Sequence, residues 1–450
     1  MLLLYIRLMK TQGESLPQAS AKRLEADLRV LTQDIGVRLA GSEGEQAAAR
    51  YLLEQLGRTG AQAHPESFPM RERRVESEEL EVRIGGSWQR FPGSLFSNTP
   101  GTGGQWREAP LVFFEAPAEY GRADLSHLKG KAVVHLGCHI ESREHYRRLM
   151  AAGPAFLLFV DIRYPGTVPL ADGMFPAYTD ALGAVPTVNV AYMDAWRWKK
   201  EGAEAARLRV RGGMRQAESQ NVIAEFPGRE PGGEIVLAGG HHDTQAGSPG
   251  ADDNATGAAA VLELARLLAG LAPLRRTVRL VSFGAEEQLS VGSAQYVRRH
   301  RAQLAERGGF LLNFDSFGSH LGWLELIAGG PKAMPDFLRA VYGRRDLYLA
   351  LTTRVMPYAD HFPFLAAGLP AATILRSNCT AGRFFHHRPD DDLSRVSVEL
   401  LARVLDASLE ALVELAGAES LPFPARIPEE QAREIADCWN DLFGGWQPEG

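Results

Sequence analysis

The sequence predicts an α/β fold: a mostly parallel or mixed central sheet with helices on both faces, and a smaller α/β domain inserted into it. From residue 221 onward, strand-like apolar runs alternate with segments of helical periodicity, which is typical of a parallel sheet. Residues 94–215 form a separate series of strands and helices with apolar runs of their own. The length of 450 residues also exceeds what one hydrophobic core usually supports.

These observations divide the chain into four parts. Residues 1–93 are expected to begin the large domain, residues 94–215 to form the inserted domain, and residues 216–420 to complete the large domain. Residues 421–450 are expected to be a C-terminal tail, which is rich in proline and then acidic.

Composition excludes several classes of protein. The 45% apolar and 23% charged residues are ordinary for a globular protein, and a net charge of -6 without a long basic run argues against nucleic-acid binding. The three cysteines are too few and too scattered for a disulfide framework or a cysteine zinc site. No apolar run approaches the roughly 20 residues of a membrane span, so no membrane partner is expected.

The N-terminus bears on the compartment. The opening stretch MLLLYIRLMK has an apolar run that ends at Arg7, which fits a secretory signal peptide poorly. We therefore expect a cytoplasmic protein, with secretion as the alternative, and the sequence leaves the oligomeric state open.

The predicted elements of the N-terminal part are two helices and a strand. Leu24, Leu28 and Leu31 recur at helical spacing. Ser42 is a plausible N-cap for the second helix, with Glu45 three residues later and a stop between Gly57 and Gly60. A strand in EELEVRIGG follows.

The two later regions alternate strands and helices. In the inserted region we predict strands in KGKAVVHLGC, PAFLLFVD and AVPTVNV, with helices after the first and the last. In the region from residue 221 we predict the strands NVIAEF, EIVLAGG, RTVRLVSFG, GFLLNFDS and PAATILR, and the helices NATGAAAVLELARLLAG, GSAQYVRRHRAQLA and SVELLARVLDASLEALVELAG.

Histidines and carboxylates follow four of these strands. GGHHD follows the strand EIVLA, AEE follows RTVRLVSFG, Asp315 follows GFLLNF, and HHRPDDDL lies beyond PAATILR. Because open α/β sheets bind ligands beyond the carboxyl ends of their strands, these side chains are expected at one edge. Two histidines with three carboxylates exceed the three protein ligands usual for one catalytic zinc, and suit two metals that share a carboxylate.

Adjacent residues in these motifs are expected to differ in role. Neighbouring residues on an extended chain point to opposite faces, so His241 shares a face with Asp243 and His242 does not. A carboxylate beside a ligating imidazole usually orients the ring, which makes His241 the candidate ligand and His242 a packed or surface histidine. Of two adjacent glutamates, one can bind a metal while the other acts as general base.

The chain resembles metallopeptidase family twenty-eight, the di-zinc exopeptidases that include bacterial leucyl aminopeptidases and glutamate carboxypeptidases. The matching motifs are HHD (241–243), GADDNATG (250–257), AEE (285–287), NFD (313–315) and HHRPDDDL (386–393). RLAGSEGEQAAARYL is similar to the opening helices of the family. LSHLKGKAVV and AVPTVNV resemble a protease-associated domain, a module often inserted in this family.

The resemblance implies a role for each site residue. It implies two Zn²⁺ ions, with Co²⁺ or Mn²⁺ as possible substitutes. The implied assignments are His241 and Asp315 on the first metal, Asp253 bridging both, Glu287 and His387 on the second, Glu286 as general base, and Asp243 orienting the His241 ring.

Two further roles are hypotheses. Some members of the family place a tyrosine immediately before the last histidine ligand, where this chain has His386, so His386 is a candidate donor to the oxyanion. Asp391 is a candidate support for the His387 ring, with Asp390 and Asp392 as alternatives.

The expected function is a zinc exopeptidase that acts on short peptides, most plausibly as an aminopeptidase. A carboxypeptidase or dipeptidase is the first alternative, because Arg376, Arg383 and Arg388 flank the last motif and arginine binds terminal carboxylates. A glutaminyl-cyclase-like acyl transferase and a non-catalytic binding relative are the others. Asp360 and His361 fall in a segment that borders the active site in the family.

Overall fold

The computed structural model describes residues 15–116, 118–138, 140, 142–230 and 232–446. The opening ten residues, on which the prediction about a signal peptide rests, lie outside the described residues. In the described part of the chain, no helix combines the length and apolar character needed to span a bilayer.

One continuous sheet of fourteen strands runs through the described residues, with helices packed on it, which confirms the predicted mixed α/β class. The strands are β1 (Gln62–Ile84), β2 (Ser87–Phe91), β3 (Ser94–Leu95), β4 (Arg107–Glu115), β5 (Ala132–Gly137), β6 (Phe156–Asp161), β7 (Thr187–Asn189), β8 (Ala205–Phe226), β9 (Ile235–His241), β10 (Thr277–Phe283), β11 (Gly308–Phe314), β12 (Trp323–Gly329), β13 (Ala350–Thr352) and β14 (Ala371–Ser377).

The helices follow the alternation expected from the sequence. They are α1 (Ala21–Arg29), α2 (Glu43–Gly57), α3 (Arg143–Ala151), α4 (Pro176–Leu182), α5 (Tyr192–Glu201), α6 (Thr256–Ala269), α7 (Val291–Arg299), α8 (Arg301–Arg307), α9 (Ala333–Gly343), α10 (His361–Ala366), α11 (Val398–Gly417) and α12 (Glu429–Phe443). The single helix predicted near residues 292–305 is divided into α7 and α8 at His300.

The large half of the sheet has the strand order β13-β12-β14-β11-β9-β10-β8. The strands β14, β11, β9 and β10 are parallel neighbours, while β12 and β8 pair with them in antiparallel fashion. Alternate residues of the buried strand β9 enter different cores: Val236 and Ala238 pack under α2, α6 and α11, and Ile235 and Leu237 pack under α7, α10 and α12. This two-faced burial explains the nearly continuous apolar runs of the parallel strands.

A smaller half continues the sheet as β4-β5-β6-β7-β3, in which β4 to β7 are parallel. The two halves share a long antiparallel ribbon, because residues 62–75 of β1 pair with 212–225 of β8, and residues 77–83 pair with 205–211. Leu80, Val82 and Phe91 pack into the core of the smaller half, ahead of the predicted domain boundary at residue 94.

The C-terminal segment contains a helix that the sequence did not indicate. In α12, Ile435 and Trp439 are buried, and they join the core formed by α7 and α10. The ring of Trp439 lies 6.5 Å from that of Phe362 in α10. The segment beyond residue 421 therefore closes one face of the large half.

Candidate metal and catalytic site

The predicted site residues meet at the carboxyl ends of the four parallel strands. His241 is the last residue of β9, Glu286 and Glu287 follow β10, and Asp315 follows β11 directly. The loop after β14 leads to His386 and His387. Because these strands are neighbours, their ends bring the side chains within contact distance.

The chain before His241 is fitted closely against the elements around it. A Cβ atom on Gly240 would lie 2.7 Å from the carbonyl oxygen of Phe314 and 2.9 Å from the Cα of Gly257. Glycine at positions 240 and 257 therefore lets β9, β11 and the start of α6 approach closely, which places Asp253 above the end of β9.

Asp253 lies at the centre of the cluster. Its Oδ1 is 3.3 Å from His241 Nε2, and its Oδ2 is 3.4 Å from His387 Nε2 and 2.9 Å from His386 Nδ1. Two sets of potential metal ligands share this carboxylate, namely His241, Asp253 and Asp315, and Asp253, His386 and His387. Each set has its ligand atoms within 4.8 Å of one another.

The other predicted residues complete the cluster. His241 Nε2 lies 3.6 Å from Asp315 Oδ1 and 3.7 Å from Glu286 Oε2, and His387 Nε2 lies 2.9 Å from Glu287 Oε2. Asp243 Oδ1 is 3.4 Å from the other ring nitrogen of His241. The structure thus brings together the five candidate metal ligands, Glu286, Asp243 and His386.

The electrostatics of this buried cluster favour added positive charge. Burial would lower the pKa of His241 and His387, but the surrounding carboxylates, first Glu286 and Glu287 respectively, raise it well above the usual value. Burial raises the pKa of Glu287 to about 7 and that of Glu286 well above its usual range. Buried carboxylates this close need either protons or a cation.

Several buried polar atoms of the cluster also make no hydrogen bond of normal geometry. Both ring nitrogens of His241 and Oε1 of Glu287 have no hydrogen-bond partner in the described structure. Buried polar groups are seldom left unpaired, so such atoms fit the donor set of a metal ion. Imidazole nitrogens and carboxylate oxygens are the ligands that zinc, cobalt and manganese accept.

Two buried aspartates accept hydrogen bonds from the backbone of the adjacent acidic pairs Glu286–Glu287 and Asp252–Asp253. Asp243 accepts hydrogen bonds from the backbone N–H groups of Glu286 (3.0 Å) and Glu287 (3.1 Å). Asp391 accepts the N–H groups of Asp252 and Asp253, both at 3.1 Å. The suggestion that Asp391 supports the His387 ring is therefore corrected, because both its oxygens are engaged by backbone N–H groups, and Nδ1 of His387 has no partner in the described structure.

The second residue of the first histidine pair has a structural role. His242 is fully buried, and its Nδ1 lies 3.1 Å from Ser282 Oγ on the neighbouring strand β10. Burial lowers its pKa to about 4, so it is neutral at ordinary pH. This agrees with the prediction that His242 points away from the ligand side.

Arg38 is a supporting residue that the sequence did not single out. Its fully buried guanidinium donates to five carbonyl oxygens, which include His242 O (2.7 Å), Pro249 O (2.7 Å) and Gly250 O (3.0 Å). It thus ties the N-terminal segment to the loops that carry His241 and Asp253. The only local sign of this role in the sequence is that Arg38 stands between the apolar residues Val37 and Leu39.

Glu45 supports the other side of the site. Ser42 accepts the Glu45 N–H at 3.4 Å, as predicted for the N-cap, but the Glu45 side chain reaches further. Its Oε1 accepts the N–H of Ala285 (2.9 Å), and its Oε2 accepts the N–H of Gly41 (2.6 Å). Ala285, which has a φ of +51°, immediately precedes Glu286, so Glu45 helps to fix the backbone there.

The smaller half contacts the second histidine pair. Tyr164 stacks on His386 with ring centroids 4.7 Å apart, and the Ala171 N–H donates to His387 O at 3.1 Å. Arg388 donates to Tyr164 O at 3.2 Å, so it acts as a structural residue. The proposed oxyanion role of His386 stays a prediction; its Nδ1 faces Asp253.

An open cavity of about 630 Å³ lies over the cluster. Residues of both halves line it, among them Tyr164 and Asp172 of the smaller half and Tyr358 and Arg376 of the large half. Asp360 and His361 are buried, and the described wall of the cavity includes neither. The volume is in the range of small-molecule sites, which suits a short peptide.

Known proteins are similar to the part of the chain that carries this site. Residues 221–412 match the model of peptidase family M28, and these residues carry every predicted site residue. The chain is 24% identical over 444 residues to aminopeptidase YwaD of Bacillus subtilis, which covers 94% of this chain and 90% of the relative. It is 26% identical over 384 residues to carboxypeptidase Q of Rattus norvegicus, with 82% and 79% covered.

Solved structures share the fold over nearly the whole chain. A zinc aminopeptidase from Bacillus subtilis superposes with a TM-score of 0.74 at 22% identity, and covers 92% of this chain and 99% of its own. An aminopeptidase from Aneurinibacillus sp. strain AM-1 superposes with a TM-score of 0.70 at 25% identity, with 91% and 98% covered. The assignment of residues 94–215 to a protease-associated domain stays a prediction. The part of the chain that carries the site, residues 221–412, matches peptidase family M28, and the similarity of the whole chain to zinc aminopeptidases supports a metallopeptidase.

Proposed function

We propose that this protein is a di-zinc exopeptidase that acts as an aminopeptidase on short peptides. The observation that carries the proposal is the pair of ligand sets that share Asp253, one oxygen of which faces His241 and the other His387. The names of the relatives, which include several aminopeptidases, support the same activity.

The residues present suit two zinc ions. His241 and Asp315 would hold one ion, Glu287 and His387 the other, and Asp253 both. When bound, the ions supply Lewis-acid polarisation and make a water molecule acidic enough to attack near neutral pH.

Glu286 is the group that we assign to proton transfer. Its Oε2 lies on the His241 side of the cluster and its Oε1 accepts a hydrogen bond from Ser290 Oγ at 2.9 Å, which fixes the carboxylate. Glu286 takes a proton from the attacking water and returns it to the leaving amine. The Asp243 carboxylate, which accepts the Glu286 N–H, keeps this residue in position.

The test combines metal content with activity. Zinc-loaded protein should contain two zinc ions per chain and hydrolyse leucine p-nitroanilide. Glu286→Gln should keep both ions and lower kcat by about 10²–10⁴-fold, the usual contribution of a general acid–base group. Glu306→Gln, at an exposed position of α8, is the matched control and should leave kcat unchanged.

The results separate the alternatives. A Glu286→Gln protein that stays active with its full metal content would refute the base assignment. Cyclisation of N-terminal glutamine with one zinc ion would favour the acyl transferase, and binding without turnover would favour the non-catalytic relative.

A further inference from the structure

Acidic and basic side chains lie on different parts of the cavity surface. Its floor is the acidic cluster described above. The remaining charged side chains of the described wall are four arginines and one aspartate, namely Arg163, Arg354, Arg376, Arg383 and Asp172. The wall that faces the acidic floor is therefore mainly cationic.

Two of these arginines are already engaged. Arg163, in the smaller half, is paired with Asp161 at 2.6 Å. Arg376 donates to the carbonyl oxygen of Gly322 at 2.7 Å, which fixes its guanidinium without neutralising the charge. Only Arg163 therefore has its charge balanced by a neighbouring carboxylate.

Arg354 and Arg383 are different. Both are exposed on the large-half side of the cavity. Within the described residues, neither guanidinium group has a hydrogen-bond or ion-pair partner. Together with Arg376 they place three uncompensated positive charges on one side of the site.

An arrangement of this kind selects for a carboxylate on the substrate. Guanidinium groups bind carboxylates through paired, charge-assisted hydrogen bonds, and a cavity of one sign raises the local concentration of ligands of the other sign. A peptide whose scissile bond lies over the acidic floor would therefore bind more tightly if it carried a carboxylate within reach of the arginines.

Resting on the proposed function, we infer that the preferred substrates are short peptides that carry a free carboxylate close to the scissile bond, bound by Arg354 and Arg383. The carboxylate has two possible sources. It is either the C-terminus of a dipeptide or tripeptide, or the side chain of an aspartate or glutamate that follows the scissile bond.

Matched substrate pairs test the inference and distinguish the sources. Zinc-loaded protein would be assayed with Leu-Gly against Leu-Gly-amide, and with Leu-Glu-amide against Leu-Gln-amide. We expect the carboxylate member of at least one pair to have a kcat/KM at least tenfold higher. A preference in the first pair assigns the site to the C-terminus, and one in the second assigns it to a side chain. Equal values in both pairs would overturn the inference.

Variants connect the preference to the arginines. Arg354→Gln with Arg383→Gln should remove the preference by raising the KM for the carboxylate substrate more than the KM for the amide. Arg403→Gln, at an exposed position of α11, serves as the control and should change neither. A double variant that loses activity equally on acid and amide would contradict a carboxylate-binding role.

A binding measurement keeps this inference separate from the proposed function. Calorimetry with Glu286→Gln protein would compare the affinity for Leu-Gly and Leu-Gly-amide, and for Leu-Glu-amide and Leu-Gln-amide, without turnover. Tighter binding of a carboxylate member that depends on Arg354 and Arg383 would support the carboxylate site even if leucine p-nitroanilide were not hydrolysed. Equal affinity within both pairs would refute the site even in an active aminopeptidase.

Discussion

Removing the Arg38 guanidinium should destabilise the protein more than any other single arginine truncation near the site. The side chain is fully buried and donates to five carbonyl oxygens, those of Leu31, Gly36, His242, Pro249 and Gly250, at 2.7–3.0 Å; three of these oxygens share the two N–H groups of Nη1. Although burial lowers the pKa of Arg38 to about 10, the group is charged at neutral pH. No ion pair competes for its donors in the described structure.

The magnitude follows from the number of bonds. A net value of about 1 kcal/mol per hydrogen bond predicts that Arg38→Ala lowers the free energy of unfolding by about 5 kcal/mol. An ammonium group has three N–H donors, so Arg38→Lys loses at least two of the five bonds and should cost about 2 kcal/mol. Since the bonds fix the loops that carry His241 and Asp253, both variants should also bind zinc more weakly.

Urea denaturation followed by tryptophan fluorescence, with and without zinc, measures these costs. Arg29→Ala is the control, because Arg29 only makes an exposed ion pair with Glu25, worth about 0.5 kcal/mol or less. If Arg38→Ala stayed within about 1 kcal/mol of the parent protein, or if lysine were as damaging as alanine, the hydrogen-bond account would be wrong.

Three further outcomes are expected. Burial raises the pKa of Glu45 from 4.5 to about 8, so the contribution of this group to the free energy of unfolding falls as the pH rises through this window. The difference in unfolding free energy between the parent protein and Glu45→Gln should therefore shrink from pH 5 to pH 8, and a constant difference would contradict this. Tyr164→Ala should lower kcat by up to about tenfold, because it removes the ring stacked on His386, a contact worth about 0.5–1.5 kcal/mol. Tyr164→Phe keeps the ring and should leave kcat unchanged; equal effects of the two variants would implicate the hydroxyl group instead. Trp439→Ala should lower the free energy of unfolding by about 3–5 kcal/mol in urea, and a loss under 1 kcal/mol would mean that α12 does not support the fold.

The parallel strands and the cluster of candidate metal ligands could be predicted because their signals are local. His241, Glu286 and Asp315 each follow an apolar strand, and parallel strands end at one edge, so proximity follows from the strand pattern alone. The same reasoning separated His241 from His242, because two residues next to each other on an extended chain face opposite ways.

The supporting residues could not be predicted because their partners are remote in the sequence. Arg38 bonds carbonyl oxygens more than 200 residues away, and Glu45 accepts the N–H of Ala285. The sequence suggests Asp391 as one candidate support for the nearby His387, whereas its carboxylate accepts the backbone N–H groups of Asp252 and Asp253. Pairings of this kind depend on the assembled fold.

Other elements were missed, among them β4, β12, α9 and α12, and β1 was predicted only at its C-terminal end; β1 and α12 show why. Much of β1 is polar and charged, because residues such as Glu72 and Glu79 form ion pairs with arginines across the ribbon, so its full length does not have the pattern of a strand. The helix α12 buries only a narrow stripe that includes Ile435 and Trp439, and its other positions are charged. Because their apolar residues are sparse, such elements show no clear hydrophobic periodicity.

The ribbon of β1 and β8 determines where this chain could exchange its smaller half with another protein. Joining points at residues 94 and 215 would separate Leu80 and Val82 from the core that they fill. A module taken from another protein would then lack the side chains that pack against its own core. The irregular pairing between Val75 and Ser77, opposite Gly212 and Arg211, is the place where the ladder is already interrupted. Recombination there would transfer the module together with its own piece of sheet, so the natural unit of exchange is longer than the insertion that the linear sequence suggests.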